Sequence, residues 1–268
     1  MRKDIFQKTV WDFYLKNGRG HLPWRKTNDP YKILVSELML QQTQVDRVVP
    51  KYNTFVKKWP TVTVLAKAPL SEVIKAWQGL GYNRRAKFLH ETAKAVTKEY
   101  KGKFPKTEEE LRTLPGVGPY TAKAICAFAY NQPVVLIETN VRQVFIYHFF
   151  SDKRTVTDNE ILTKVATMLP GGSSCEWYAA LMDYGTHLKK VHGNLARKSA
   201  SYTKQKPFKG SDREIRGAVL REVGIRSTSP DELSKKLSFT KARIDEQVQR
   251  LLVEGLLVTE RGKLCLPR

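Results

Sequence analysis

Two carboxylates stand at positions where a charge is costly. Glu37 follows Ile33 by four residues and Leu34 by three, and precedes Leu40 by three, so a helix through this run carries Glu37 on its apolar face. Asp29-Pro30 ahead of it supplies an N-cap and a first-turn proline. A carboxylate turned inward loses hydration, which raises its pKa and lets it keep a proton at neutral pH. That is the property a general acid needs, although a buried ion pair with a neighbouring arginine would also account for it. Glu138 is delivered by the apolar run Pro133-Val134-Val135-Leu136-Ile137 and precedes Asn140 at what reads as a helix start. A charge brought there by an apolar segment is costly unless used, yet acids are also common in first turns.

Around these carboxylates lie groups suited to a polyanion. Gln41, one turn beyond Glu37, opens the run Gln41-Gln42-Thr43-Gln44. Amides at a helix end suit wedging into a duplex and bonding to base edges; alone they would be a solvated cap. Leu114-Pro115-Gly116-Val117-Gly118 is a tight turn into an apolar helix, and the N–H groups at such a turn suit a phosphate oxygen. An ordinary helix–helix turn is the plainer alternative. Asn83-Arg84-Arg85 gives a further helix a basic N-terminus on the same side as that turn.

The elements that must position these groups read as helices throughout. Ile5, Phe6, Val10 and Phe13 mark an amphipathic helix over 4–16, followed by a loop at His21–Arg25. Helices are predicted at 46–58, 70–78 and 84–99, with Pro60, Pro69 and Gly79-Leu80-Gly81-Tyr82 between them. A short helix at 106–113, the glycine turn and the helix of the 120s form a helix-hairpin-helix, and helices follow at 141–150, 158–168 and 175–190. From Lys189 the chain is strongly basic and reads as a linker or a loop lying over the partner. Ser211 with Glu214 predicts a capping box opening a helix to about Glu222, and Ser229-Pro230 opens a short one. Thr240 opens a longer helix closed by Gly255, and Arg261-Gly262 sits in a terminal hairpin. The expected fold is all-α, with residues 1–205 as one domain. A helical barrel over roughly 23–134 would pack on helices from 1–22 and 135–205, and 206–268 would form a small winged helix.

Composition narrows the partner. Lys and Arg number 47 against 26 for Asp and Glu, a formal charge of +21. Nucleic acid is the simplest partner for such an excess, ahead of an anionic membrane surface. No apolar run approaches the ~20 residues of a membrane span, and the first residues lack the apolar core of a signal peptide. A bacterial-type cytoplasmic, nucleoid-associated monomer is therefore expected. Cys126, Cys175 and Cys265 are scattered, which argues against disulfides or a cysteine-ligated metal cluster. His187, His192 and Cys175 match no zinc spacing.

SELMLQQTQV at 36–45, GLGY at 79–82, LPGVGPYTA at 114–122 and LMDYG at 181–185 resemble the MutY-type adenine DNA glycosylases of the helix-hairpin-helix superfamily. The likeness spans roughly residues 8–190, and the tail from FKGSDREIRG is similar to a winged-helix extension of some bacterial members. The resemblance implies monofunctional removal of adenine mispaired with 8-oxoguanine or guanine in duplex DNA. It makes Glu37 the acid that protonates the adenine ring and Glu138, near Asn140, the carboxylate that stabilises the sugar cation. Tyr120 takes the place of the Schiff-base lysine of bifunctional relatives. Gln41 and Tyr82 would enter the base stack, with Gln42 and Arg84 beside them. Gly116, Val117 and Gly118 would clamp a phosphate, with a Na⁺ or K⁺ ion around Leu114 and Val117.

The sequence departs from the family in three respects. Glu138 stands where the family usually has Asp. The stretch from His187 to Lys206 has no cysteine where many members ligate an iron–sulfur cluster, so no cluster or other cofactor is expected and Lys189, Lys190, Arg197 and Lys198 keep the charge offered to DNA. The C-terminal domain that reads 8-oxoguanine in many members is expected to be absent, with the winged helix in its place, which leaves specificity for the opposite base open. Two other functions compete: a thymine or uracil mismatch glycosylase, whose relatives share Tyr120, and a DNA-binding module without catalysis. A pyrimidine leaves readily as an anion, so Glu37 beside its glutamines favours a purine; tight binding without excision would mark the third.

Overall fold

The computed structural model describes residues 1–205 and 207–268; Lys206, at the expected domain boundary, lies outside the described residues. The described chain is mostly helical. In order come α1 (Lys3–Asn17), α2 (Pro30–Leu40), α3 (Val45–Lys58), α4 (Val62–Ala66), α5 (Leu70–Trp77), α6 (Arg84–Glu99), α7 (Glu108–Leu111) and α8 (Pro119–Tyr130). They are followed by α9 (Thr139–Phe149), α10 (Asp158–Met168), α11 (Ser174–His192), α12 (Asp212–Ile225), α13 (Pro230–Lys236) and α14 (Lys241–Val253). A hairpin, β1 (Val258–Glu260) and β2 (Lys263–Cys265), closes the chain.

Contacts divide the chain into two compact units. The first comprises Met1–Leu34, Pro105–Thr113 and Val117–Lys204. Its core joins α1, α9, α10 and α11 through Phe6, Val10, Val144, Phe145, Val165 and Trp177. Phe6 meets Phe145 and Trp177 edge-on at 5.2 and 5.9 Å, a favoured arrangement of ring quadrupoles. α11 lies hard against α9 because residue 185 is glycine: a Cβ there would sit 2.3 Å from the Asn140 carbonyl oxygen. The stretch read as a basic linker is in part a built element of this unit. α11 continues to His192 and a 3₁₀ turn spans Leu195–Lys198. Buried Gln143 accepts from Leu195 N–H and donates to Gly193 O, while Asp158 accepts from Ser199 and Ser201.

The second unit comprises Val35–Phe104, Leu114–Gly116 and Gln205–Arg268. Val48, Phe55, Ile74, Trp77 and Leu89 of α3, α5 and α6 are buried in it. α4 was not anticipated; Thr61 caps it through Val64 N–H, and Val62 and Leu65 turn inward. The tail docks on α5 and α6: Lys87 Nζ donates to Glu254 O at 2.7 Å and Ser71 N–H to Pro267 O at 2.9 Å. Arg261 and Gly262, at φ 50° and 74°, turn β1 into β2 with the double left-handed geometry of a tight hairpin. The capping box expected at Ser211 does not form: Ser211 Oγ donates to Phe208 O, and Glu214 accepts one residue earlier, from Gly210 N–H. Ser229 and Glu232 do form one.

Candidate active site and nucleic-acid interface

Glu138 is the N-cap of α9. Its Oε1 accepts from Asn140 N–H at 2.7 Å and Val141 N–H at 2.9 Å, and its Oε2 from Asn140 Nδ2 at 3.2 Å. The apolar run ahead of it is held by α11: Tyr178 Oη donates to Val134 O at 2.8 Å and accepts from Leu136 N–H at 3.1 Å. Glu138 keeps some accessible surface, yet its carboxyl is so closely surrounded that desolvation dominates and raises its pKa. The bonds from Asn140 and Val141 and the charge of Arg142 pull the other way without overcoming burial. Tyr120, on the first turn of α8, is half-buried against the core of the same unit.

The LMDYG segment braces this arrangement. Asp183, 3% exposed, takes a fork from Arg25 at 2.6 and 2.8 Å and two bonds from Arg19, Nε at 2.6 Å and N–H at 2.7 Å. Burial alone would raise its pKa, but the bonds from Arg25 and Arg19 hold it below the ordinary aspartate value. Tyr184 Oη lies 3.0 Å from His148 Nε2, and Gly185 admits the Asn140 backbone. The motif's residues thus fix α9, whose N-terminus carries Glu138. Tyr178, Arg19 and Arg25 carry no local signal of these roles, since their partners lie more than forty residues away in sequence.

In the second unit, Glu37 is 8% exposed among Val35, Leu38 and Met39 of α2, as its spacing predicts. Gln41, Gln42, Tyr82 and Arg84 line one cavity of about 440 Å³. The residue that builds it is Arg85, expected as part of a basic helix N-terminus offered to the partner but turned inward here. It is 6% exposed and donates to the carbonyls of Met39 and Gln41 at 3.1 and 2.6 Å, to Leu38 O, and to Leu80 O and Gly81 O at 3.2 and 2.9 Å. One guanidinium therefore satisfies the open carbonyls at the end of α2 and ties them to the turn before Tyr82. Desolvation lowers its pKa to about 10. Gln42 and Tyr82 sit at φ 55° and 47°, a left-handed backbone that is rare for bulky side chains.

Arg84 is exposed and its guanidinium lies 5.2 Å from the Phe88 ring, against which Gly116 packs so closely that a Cβ would fall 2.4 Å from Phe88 Cβ. Gly116 has φ 72°, so both backbone and space demand glycine. Val117 is buried, and Gly118 leads α8 without a side-chain cap, leaving the positive end of the helix dipole at the turn. Lys189, Lys190 and Arg197 are exposed; Lys198 is half-buried and donates to Ser151 O at 2.7 Å, so its charge is tied to the protein.

Cys126 lies on α8, Cys175 on α11 and Cys265 on β2, and three thiols on separate elements do not fit a four-thiolate cluster. His187 packs on Phe13 and His192 stacks on Tyr147 at 4.7 Å. Among the described residues no helix is long and apolar enough to cross a membrane.

A family profile described as HhH-GPD superfamily base excision DNA repair protein matches residues 35–170. The adenine DNA glycosylase of Mycolicibacterium smegmatis is 35% identical over 277 residues, covering 93% of this chain and 92% of that protein. That of Mycobacterium tuberculosis is 34% identical, covering 99% and 94%. A thermostable thymine-DNA glycosylase structure aligns with a TM-score of 0.60 at 28% identity, covering 68% of this chain and 85% of that one.

Proposed function

This chain belongs to the HhH-GPD superfamily of base excision DNA repair proteins, and from that premise we propose that it removes adenine mispaired with guanine or 8-oxoguanine in duplex DNA. It is a DNA N-glycosylase, and likeness to adenine glycosylases extends over 93% of its length. The observation that carries the substrate assignment is Glu37, a carboxylate on the buried face of α2 directly ahead of the Gln41-Gln42 wedge.

In this reading Glu37 gives its proton to a ring nitrogen of the flipped adenine. The bond from the sugar to the base breaks, its electron pair leaves with the neutral base, and positive charge develops on the deoxyribose. Glu138, ionised and fixed by the N-terminus of α9, opposes that charge. Water then adds to the sugar carbon and loses a proton, leaving an abasic site. Tyr120 offers no amine, so strand cleavage does not accompany excision. Gln41 and Tyr82 fill the space left by the flipped nucleotide and offset the few kcal/mol of unstacking. The Leu114–Gly118 turn, Arg84 and the lysines at the end of α11 hold backbone phosphates; an alkali cation, if bound, would be held around Leu114 and Val117 and would add positive charge for a phosphate. The enzyme works as a cytoplasmic monomer without an iron–sulfur cluster.

The likeness to a thymine-DNA glycosylase structure supports a second reading, excision of thymine or uracil opposite guanine. Single-turnover reactions on duplexes with A opposite 8-oxoguanine, A opposite G, T opposite G and U opposite G separate the two. Strand breaks in the adenine duplexes that appear only after alkali are the expected result. Breaks confined to T or U strands would overturn the substrate, and silence on all four would leave a DNA-binding module.

A further inference from the structure

A second cavity of the same unit lies at the other end of the Gly79–Tyr82 turn. It is a groove of about 470 Å³ between α3 and the end of α5, with buried Phe55 and Leu80 as its floor and Arg47, Lys51 and Thr54 on its more exposed rim. Arg47, Lys51, Thr54 and Lys58 recur at steps of four, three and four residues, which places them on one face of α3. The two helices run antiparallel along that face. Lys58 pairs with Glu72 at 2.7 Å at one end, Phe55 meets Trp77 edge-on at 6.0 Å in the middle, and Arg47 donates to Gly79 O at the other end.

The two ends treat their cations differently. Lys58 has a carboxylate across from it, whereas among the described residues no carboxylate lines the groove of Arg47 and Lys51. These two stand one helical turn apart, where like charges repel. Arg47 is oriented by a neutral carbonyl, and the Lys51 stem lies along the turn, its Cε 3.8 Å from where a Cβ on Gly79 would stand. The Thr54 hydroxyl donates to Pro50 O at 3.0 Å, which leaves the Lys51 ammonium and the remaining N–H groups of Arg47 as donors for a ligand. Two unmatched cations beside an apolar floor suit one nucleotide of a DNA backbone: the phosphate meets the charges, and the C–H surface of the deoxyribose meets the floor. The groove also adjoins both stretches that the proposed function sends into the duplex. α3 begins directly after Gln44 of the glutamine run, and Gly79 is three residues from Tyr82, at most about 10 Å of extended chain. A duplex with Tyr82 in its stack therefore carries its backbone past Lys51.

We propose that the groove between α3 and α5 is a further phosphate site for the duplex, in which Lys51 and Arg47 hold one backbone phosphate flanking the wedge. It is separate from the Leu114–Gly118 turn, Arg84 and the lysines of α11. The proposal rests on the reading of Gln41 and Tyr82 as residues that enter the duplex.

Equilibrium binding of the full-length protein to a duplex carrying a tetrahydrofuran abasic analogue opposite guanine, measured over a range of salt concentrations, tests it without requiring excision. Lys51→Gln should weaken binding about tenfold at low salt, and the slope of log K against log salt should become shallower by about 0.9, the counterion release of one phosphate. Lys58→Gln removes the same charge from the same helix but from a matched position, and should leave the slope unchanged. Circular dichroism with a melting curve checks that both variants fold. Equal changes of slope in the two variants would mark a diffuse positive field and overturn the proposal. Neutral methylphosphonate linkages, placed one at a time on either side of the analogue, locate the contact. One of them should weaken binding of the unaltered protein about tenfold and that of Lys51→Gln no further. If every linkage affects the two proteins alike, Lys51 touches no phosphate, the groove is left to an acidic protein surface and the proposal fails. Excision of adenine by the unaltered protein, scored alongside, reports separately on the proposed activity. Excision with an unchanged slope in Lys51→Gln would remove the groove and keep the function; a shallower slope without excision would do the reverse.

Discussion

Asp183 and Glu138 belong to the same compact unit and both are withdrawn from water, but their surroundings treat the charge oppositely. Asp183 faces two guanidiniums and accepts four hydrogen bonds from Arg19 and Arg25, and its pKa is lowered. Glu138 is bonded by neutral backbone and amide N–H groups, and burial raises its pKa. A carboxylate whose charge is already matched has little left to offer a cation that appears during a reaction. Glu138 feels one guanidinium, that of Arg142, without a direct bond to it, so more of its field is left for a cation that develops beside it. The contrast makes Asp183 an architectural group and is what the proposed role of Glu138 in the chemistry rests on.

The largest test of that contrast is Glu138→Gln. The amide oxygen can still cap α9, so folding and DNA binding should persist while single-turnover excision falls roughly 10³-fold. Full activity in this variant would end the contrast at once. Next is Asp183→Asn, which leaves two arginines facing a neutral group. Urea denaturation should show a loss of about 3 kcal/mol, while excision per folded molecule changes far less than in the Glu138 variant. If the stability were intact and excision abolished, the roles of the two carboxylates would be reversed.

Gly185→Ala links the two sites and should have a smaller effect. The added methyl must displace the Asn140 backbone, at a cost of about 1–3 kcal/mol for overpacking. Because Asn140 holds both oxygens of Glu138, excision should fall together with the melting temperature; a fall in stability alone would detach α11 from the cap.

The gentlest test is pH. A carboxylate with a raised folded pKa binds its proton in the folded state before the unfolded chain does, so protonating Glu138 favours folding but removes the charge that excision needs. The acid limb of the pH–rate profile should therefore lie above the ordinary glutamate value of 4.5. Asp183 has the opposite sign: its contribution to stability is fully present above its unfolded pKa and disappears as pH falls through the lowered folded value. Activity should be lost on acidification before that part of the stability is. Coincident loss of both would contradict the separate environments of the two groups.

Much of the site was legible because it is local. The apolar run around Glu37 announces a buried helix, although α2 is buried on every side from Ile33 to Met39 and not on one face alone. Gly116 is demanded by a turn that the sequence announces, and the Arg261-Gly262 hairpin follows from its own residues. Reading Ser211 and Glu214 as a capping box failed because Glu214 has a nearer competitor in Gly210 N–H, a choice of geometry that spacing does not contain. Arg85 looked like one more basic residue at a helix start, and burial made it the clamp of the wedge.

By itself the sequence determined the helical periodicity, the caps and turns, the excess of positive charge and the order of the motifs, since each depends on residues within a few positions of one another. Tertiary structure decided which carboxylate is paired and which is not, whether Lys198 and Arg85 face inward or outward, and that α12 lends Arg213 to the cavity beside Tyr82. Those outcomes depend on desolvation and on partners distant in the chain, and both come into being only when the elements pack.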